Sequence, residues 1–242
     1  MLIEADTHCH SVASTHAYST IKELAQSASE IGLKAFAITD HGPASPDSPH
    51  IWHFRNLKCL PDTINGVSVL KGAEVNIVNY TGKIDLDENE LLSLDWVIAS
   101  MHTSVIAPAG IEEHSEAYIK LAWNPYVDVI GHCTTSKFPF KYEKVLRVFK
   151  ECGKMVEINE SSLLSEKSSA ATVRDILLSC KRWEIPIVVN SDCHYCELIG
   201  KVDRCARLIE ETGFPERLIV NARMDRLIEY IDNKRKLKSL GL

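Results

Sequence analysis

The alternation of short β-rich runs with amphipathic helical segments is the feature that most constrains the fold of this chain. A chain that alternates in this way forms a parallel sheet whose strands are joined by right-handed helical crossovers. Seven strands are predicted, with an eighth candidate near the end of the chain. They are Leu2–Asp6, Ala35–Thr39, Ser68–Glu74, Trp96–Ser100, Val127–Gly131, Met155–Asn159 and Ile187–Ser191, followed by Leu218–Asn221.

The intervening segments carry apolar residues at helical spacing. In the first, "STIKELAQSASEIG", Ser19 is the expected N-cap and Gly32 the expected stop. His114 falls within the second helix and is expected to be solvated. The other predicted helices are Glu112–Trp123, Lys141–Cys152, Ala170–Trp183, Lys201–Thr212 and Met224–Asn233.

Seven or eight strand–helix units in 242 residues favour a closed or nearly closed α/β barrel. The length suits one domain spanning residues 1–242. An open, doubly wound sheet is the alternative, but no glycine-rich phosphate loop follows the first strand. We therefore expect a single-domain TIM-like barrel.

Composition excludes several classes of protein. The net charge of −6 argues against broad binding to nucleic acid. No apolar run of about 18 residues is present, so no membrane span is expected, and the first residues do not resemble a signal peptide. We expect a cytoplasmic protein whose eight cysteines stay reduced. The single CxxC, Cys193 to Cys196, is a weak redox or zinc signal without a second one.

Histidines and carboxylates cluster at the predicted strand ends. Asp6, His8 and His10 alternate, so in an extended segment they should point the same way, and Cys9 the other way. In a parallel αβ barrel the carboxyl ends of all strands meet at one rim. Six strand ends would bring nine ligands to that rim: Asp6, His8, His10, His41, Glu74, His102, His132, Asp192 and His194.

Each of these groups has an ordinary structural explanation when taken alone: a solvated histidine, a salt bridge for Glu74, or a helix N-cap for Asp192. Their joint placement favours a metal cluster instead. Imidazole and carboxylate ligands suit Zn²⁺, Mn²⁺ or Fe²⁺, and the ligand count fits three ions. Neighbouring ions can bind a hydroxide nucleophile at neutral pH and hold an anionic oxygen, which indicates hydrolysis, most naturally of a phosphate ester.

The same residues carry a family resemblance. "DTHCH", "TDHG", the glutamate of "KGAEVN", "MH", "GH" and "SDCH" resemble the motifs of the PHP (polymerase and histidinol phosphatase) family. The segments "SVASTHAYST", "FAITDHGP", "PHIWHF" and "EINESS" are similar to its YcdX-type phosphatase subgroup. The resemblance covers nearly the whole chain. It implies a distorted (β/α)7 barrel that forms one PHP domain, a metal-dependent phosphoesterase with a trinuclear site, commonly zinc.

The resemblance also implies how the ligands are shared among three ions. The three sets are His8, His10, Glu74 and Asp192; Glu74, His102 and His132; and His16, His41 and His194. All nine family positions are filled in this chain, with Glu74 as the bridge between the first two ions. The adjoining Cys9, Cys133 and Cys193 are expected to pack rather than to ligate.

The connection after the second strand, "GPASPDSPHIWHFRNLKCLP", is longer than a plain βα loop. His50, Trp52, His53, Arg55 and Lys58 either line the mouth of the barrel or belong to an ordinary surface loop. Because a phosphate needs at least one cationic partner, Arg55 is predicted to meet it, with Lys58 as second choice.

The favoured function is a phosphatase acting on small phosphomonoesters. A metal-bridging hydroxide would attack phosphorus, and Asp192 or a metal-bound water would protonate the leaving alkoxide. A phosphodiesterase or exonuclease acting on nucleic acid ends is an alternative, but it needs a basic approach surface and an aromatic platform. A histidinol-phosphate phosphatase is a second alternative. A non-catalytic accessory barrel is disfavoured because such a module would have lost ligands.

Overall fold

Seven parallel strands form a nearly closed barrel in the computed structural model, which describes residues 3–239. The order of the strands around the barrel is β1-β2-β4-β5-β6-β7-β8, and β3 pairs antiparallel with β4. The strands are β1 (Ala5–Cys9), β2 (Ala35–Ile38), β3 (Thr63–Ile64), β4 (Val67–Asn76), β5 (Trp96–Ser100), β6 (Val129–Ile130), β7 (Met155–Asn159) and β8 (Ile187–Asn190).

Helices occupy the connections and pack against the outside of the barrel. They are α1 (Ile21–Glu30), α2 (Trp52–Asn56), α3 (Glu88–Leu92), α4 (Ile111–Ala122), α5 (Tyr142–Glu151), α6 (Glu160–Leu164), α7 (Ala170–Trp183), α8 (Asp203–Thr212) and α9 (Met224–Ser239). Thr20, not the predicted Ser19, caps α1 and forms a capping box with Glu23. Gly32, at φ +80°, follows the end of α1 as predicted.

The predicted alternation is confirmed for the seven barrel strands, but the eighth candidate is not a strand. Residues 216–222 form two short 3₁₀ turns, Glu216–Leu218 and Val220–Ala222. Only Ile219 makes an isolated bridge, to Ile187. The apolar sequence "LIVN" therefore packs against the barrel without adding a strand to it.

Asparagine side chains close the seam between β1 and β8, where no regular ladder forms. The Nδ2 of Asn221 donates to the carbonyls of Ala5 (2.8 Å) and Val189 (2.7 Å). Higher in the seam, the Oδ1 of Asn190 accepts from the backbone N–H of Thr7 at 2.9 Å. These side chains satisfy backbone groups that a strand ladder would otherwise pair.

Apolar residues fill two layers. One lies between the strands and the surrounding helices and includes Phe36, Tyr118 and Phe149. The other fills the barrel beneath the rim, where Leu227 and Ile231 of α9 pack against the interior residues and close the floor. Among residues 3–239, no helix is both long and apolar enough to cross a membrane. The floor is thus packed shut, and the rim at the carboxyl ends of the strands is left open.

Candidate metal centre

The predicted ligands converge on a cleft at the carboxyl-terminal rim of the barrel. The cleft has a volume of about 340 Å³. His8 and His10 lie beneath it and are completely buried. The other seven predicted ligands line its walls: His16, His41, Glu74, His102, His132, Asp192 and His194.

Four atoms form a compact first group at the base. His8 Nε2 lies 3.1 Å from His10 Nε2, 3.5 Å from Glu74 Oε2 and 3.6 Å from Asp192 Oδ1. His10 Nε2 lies 3.7 Å from Glu74 Oε2 and 3.1 Å from Asp192 Oδ1. Ligand atoms about 2.0–2.1 Å from one tetrahedral ion lie about 3.3 Å apart. The spacing of these four atoms therefore fits a single ion.

A second group uses the other oxygen of the same glutamate. Glu74 Oε1 lies 2.9 Å from His132 Nε2 and 3.4 Å from His102 Nε2, and the two nitrogens are 3.1 Å apart. These spacings also fit one ion. Glu74 thus faces both groups, one with each oxygen, as a bridging carboxylate would.

The third predicted set is looser. The ring of His16 lies 4.3 Å from that of His194 and 5.3 Å from that of His41, between centroids. His41 lies close to more than one group of predicted ligands. Its Nδ1 is 2.8 Å from Glu74 Oε2, and it also lies near His16 and Asp47, with which it could hold an ion. Asp47 was not predicted, and it adds a carboxylate to this side of the centre.

Several buried polar atoms of the centre have no hydrogen-bond partner among the described residues. They include Glu74 Oε2, Asp192 Oδ1, His41 Nδ1 and His194 Nε2. A buried polar atom without a partner is costly, and these atoms face one another across short distances. Cations held between them would satisfy these atoms, so the donor set fits bound metal ions.

In four histidines of the centre, Nδ1 is fixed by a neighbouring group, which leaves Nε2 free to ligate. The carboxylate of Glu157 accepts a 2.6 Å hydrogen bond from His8 Nδ1 and is itself fully buried. The other three contacts are His16 Nδ1 to Asp47 (2.7 Å), His102 Nδ1 to Asn76 Oδ1 (2.7 Å) and His194 Nδ1 to the carbonyl of Asp192 (3.1 Å).

The charges of the centre shift the pKa values of its members in opposite directions. Burial alone would raise the pKa of Glu74, but His102, His8 and His41 hold it well below its usual range. Burial alone would lower the pKa of His8, yet Glu157, Asp192 and Glu74 raise it well above the usual value. At His10 the carboxylate of Asp192 does not offset burial. Burial together with the charge of His41 lowers the pKa of His10 to about 3.

The pKa values of His41 and His132 are also raised. Burial alone would lower them, but the carboxylate of Glu74 outweighs burial in both cases. His102 and His194 differ, because burial lowers their pKa values despite the nearby carboxylates.

Two of the predicted ligands have left-handed backbone conformations. His132 follows β6 with φ +22°, and Asp192 follows β8 with φ +54°. Such conformations are uncommon for residues other than glycine and concentrate at functional sites. Both residues begin the turns that direct their side chains into the cleft.

The structure corrects the predicted orientation of Asp6. A register shift between Asp6 and Cys9 interrupts the alternation of β1. Asp6 consequently binds the backbone N–H groups of Ser191 (3.3 Å) and Gly200 (2.8 Å) instead of joining the ligands. It shares this outer side of the strand with the thiols of Cys9 and Cys193.

The structure also corrects the prediction for Arg55. Its Nε donates to Glu90 at 2.7 Å, and it lines a separate groove of about 610 Å³ together with Trp52, His53 and Lys58. None of these residues lines the metal cleft. Among the described residues, the lysines that line the cleft are Lys137 and Lys167. Sequence reasoning missed both lysines, because they lie outside the motifs.

His114 is buried, not solvated as predicted. Its Nε2 accepts from the N–H of Ala109 at 2.9 Å and its Nδ1 donates to the carbonyl of Pro139 at 2.8 Å. It therefore ties two loops to α4. All eight cysteines are unpaired, and Cys9, Cys133 and Cys193 belong to the apolar core, as predicted.

The barrel with a histidine- and carboxylate-lined rim is the architecture of a metal-dependent αβ-barrel protein. The profile of the PHP domain family matches residues 6–161. A protein of Acetivibrio thermocellus named a probable phosphatase is 43% identical over 236 residues, covering 98% of both chains. One of Caldanaerobacter subterraneus with the same description is 42% identical and covers 96% of this chain and 92% of its own. The chain belongs to the PHP domain family.

A solved structure shares the fold. It is a histidinol phosphate phosphatase from Lactococcus lactis in complex with zinc, L-histidinol and phosphate. The TM-score is 0.61 at 18% identity, and the match covers 89% of this chain and 95% of the other. At this identity the likeness concerns the barrel alone.

Proposed function

We propose that this protein is a metal-dependent phosphatase that hydrolyses small phosphomonoesters with three metal ions, zinc being the favoured metal and Mn²⁺ or Fe²⁺ the alternatives. Support comes from the PHP family and from relatives named probable phosphatases. The observation that carries the proposal is the pair of ligand groups joined by the two oxygens of Glu74, each with the spacing of ligands around one ion. We extend the proposal to the whole chain, 1–242, as one functional unit and to the YcdX-type subgroup through its motifs.

When bound, the ions would supply a hydroxide nucleophile at neutral pH and neutralise the oxygens of the phosphate. The side chains of this protein would hold these ions. Glu74 would face the first two positions with its two oxygens, and His16, His41 and His194 would hold the third ion. The barrel floor and the apolar layer beneath His8 exclude water from below.

The proposed role of Asp192 is that of an anionic ligand. Burial alone would raise its pKa, but His8, His10 and His194 hold it far below the usual range. A protonated Asp192 is therefore scarce near neutral pH, and the proton for the leaving alkoxide comes from water.

The test is Glu74→Gln. An amide of the same size cannot supply negative charge to two ions, so metal content and hydrolysis of p-nitrophenyl phosphate should both collapse while the circular dichroism spectrum is kept. If Glu74→Gln keeps more than about a tenth of the wild-type kcat, which is under about 1.4 kcal/mol of barrier, Glu74 is not the bridge.

Phosphodiesterase or exonuclease action is the weaker candidate. Phe138 is the one aromatic residue besides histidine among the described lining residues of the cleft, and it is buried in the apolar core, so it offers little ring surface for stacking bases. An assay that compares phosphorylated metabolites, including histidinol phosphate, with 5′-phosphorylated oligonucleotides distinguishes a general phosphatase, a histidinol-phosphate phosphatase and a nuclease. Preferred turnover of the oligonucleotides would replace the proposal.

A further inference from the structure

Among the described residues, Lys137 and Lys167 are the two non-histidine cations that line the metal cleft. Both are exposed, and neither Nζ lies within 4.0 Å of a carboxylate oxygen of the described residues. Two lysines shortly after Lys137 in the chain differ: Lys141 pairs with Glu112, and Lys144 pairs with Glu116 at 2.7 Å. Two free positive charges thus face the same cleft.

The backbone holds the two lysines beside each other. The N–H of Ser136 donates to the carbonyl of Lys167 at 2.9 Å. Thr135 and Ser168 form an antiparallel bridge next to it. The loop that carries Lys137 is therefore tied to the loop between α6 and α7, and the two side chains start from a fixed platform.

The anions already in the cleft do not need these lysines. Asp47 contacts His16, and Glu74 and Asp192 face the histidines of the ligand groups. Three divalent ions held with the carboxylates of Glu74, Asp192 and Asp47 and carrying one hydroxide would balance the charge of a phosphate dianion without any lysine. The scissile phosphate is thus compensated at the base of the cleft without the lysines.

We propose that Lys137 and Lys167 form a subsite for a second acidic group of the substrate, away from the scissile phosphate. This inference rests on the proposed function and narrows its substrates to phosphomonoesters that carry a carboxylate or another phosphate. A lysine ammonium is a compact charge with three donors and can bind either anion.

The experiment compares matched substrates on the metal-loaded protein. Phenyl phosphate, 4-carboxyphenyl phosphate and benzene-1,4-diyl bisphosphate share one leaving-group scaffold and differ in the second group. The wild type should prefer a doubly acidic substrate in kcat/KM by tenfold or more, and whether the carboxylate or the phosphate gives the larger preference identifies the natural group. Lys137→Ala with Lys167→Ala should abolish that preference and change kcat/KM for phenyl phosphate less than twofold.

Lys201→Ala is the matched control, because Lys201 is exposed and does not line the cleft. It should keep the preference. Equal losses on all three substrates in the double variant would show that the lysines serve the scissile phosphate, and unchanged kinetics would show that they serve neither. Either result overturns the proposal.

A binding measurement separates this inference from the proposed phosphatase function. Calorimetric titration with benzylphosphonate and 4-carboxybenzylphosphonate needs no turnover. The wild type should bind the carboxylated compound at least tenfold more tightly, and the double variant should bind both alike. A protein that shows this difference but hydrolyses no phosphate ester keeps the subsite and loses the proposed function. A protein that hydrolyses phenyl phosphate and shows no difference keeps the function and loses the subsite.

Discussion

Glu157→Gln tests whether a residue that touches no substrate sets the metal affinity of the centre. The buried carboxylate of Glu157 accepts four hydrogen bonds. Oε1 accepts from His8 Nδ1 (2.6 Å) and Asn190 Nδ2 (2.8 Å), and Oε2 accepts from the N–H of His132 (2.7 Å) and from Asn159 Nδ2 (3.1 Å). All four partners are donors, so both oxygens are needed.

Glutamine has the same size but places an NH₂ group against two of these donors. If the NH₂ faces His8, the imidazole must accept at Nδ1 and carry its proton on Nε2, the nitrogen that faces the ligand group. If it faces His132, a backbone N–H is left without an acceptor. Losing a charge-assisted hydrogen bond costs about 1.5–3 kcal/mol, and such outer partners typically change metal affinity by about 10–100-fold.

The expected result is a 10–100-fold weaker zinc affinity, measured by competition with a chromophoric chelator. Glu160→Gln is the control, since Glu160 is also buried and accepts from the N–H groups of Arg204 (3.0 Å) and Cys205 (2.9 Å) at the start of α8. It should lower the midpoint of urea unfolding without weakening zinc binding. A Glu157→Gln protein with zinc affinity equal to that of Glu160→Gln would refute the reasoning.

Three further perturbations follow from the geometry of the centre. His16→Ala should lower the zinc content by about one ion per chain in mass spectrometry of the desalted protein, and an unchanged content would remove His16 from the centre. Zinc affinity should rise between about pH 6 and 8, because the metal must displace protons from His8, His41 and His132, whose pKa values are raised. Calorimetry should detect the released protons. An affinity that does not change with pH would contradict these shifts. Gly131→Ala would place a Cβ in steric clash with Ser100 Oγ and should reduce the free energy of unfolding in urea by about 1–3 kcal/mol. Ser100→Gly in the same chain should recover part of that loss, and no recovery would mean that the strain lies elsewhere.

The sequence predicts the seven barrel strands because their signal is local: each is a short apolar run followed by a helical pattern. The convergence of the predicted ligand residues on one cleft is predictable for a related reason, since the strand ends of a parallel barrel meet at one rim whatever lies between them. The prediction of an eighth strand is wrong because "LIVN" has the composition of a strand but forms 3₁₀ turns. Whether it pairs depends on Asn221, whose side chain satisfies the neighbouring backbone groups instead.

The surroundings of the ligands are harder to predict because they depend on contacts between distant segments. Arg55 could not be assigned to Glu90 from the sequence, since the two lie on different loops and meet only in the fold. Glu157 lies in the middle of β7, whereas the prediction considered only residues at the ends of strands. A carboxylate in an otherwise apolar strand, "MVEIN", with Asn159 on the same side, was the available signal. The prediction that Asp6 points toward the ligands is wrong because β1 has a register shift between Asp6 and Cys9, and an alternating sequence pattern does not reveal such a shift.

The first group of predicted ligands spans the seam between β1 and β8. His8 and His10 belong to one side of the seam and Asp192 to the other, and the flanking Thr7 and Asn190 are 183 residues apart in the chain. An ion held by this group would cross-link the first and last strands, as a disulfide would. Unlike a disulfide, the ion would not restrict the unfolded chain, so its binding free energy would add to the stability of the folded barrel. A barrel cleaved in a distant surface loop would therefore keep its halves together more tightly with metal than without it.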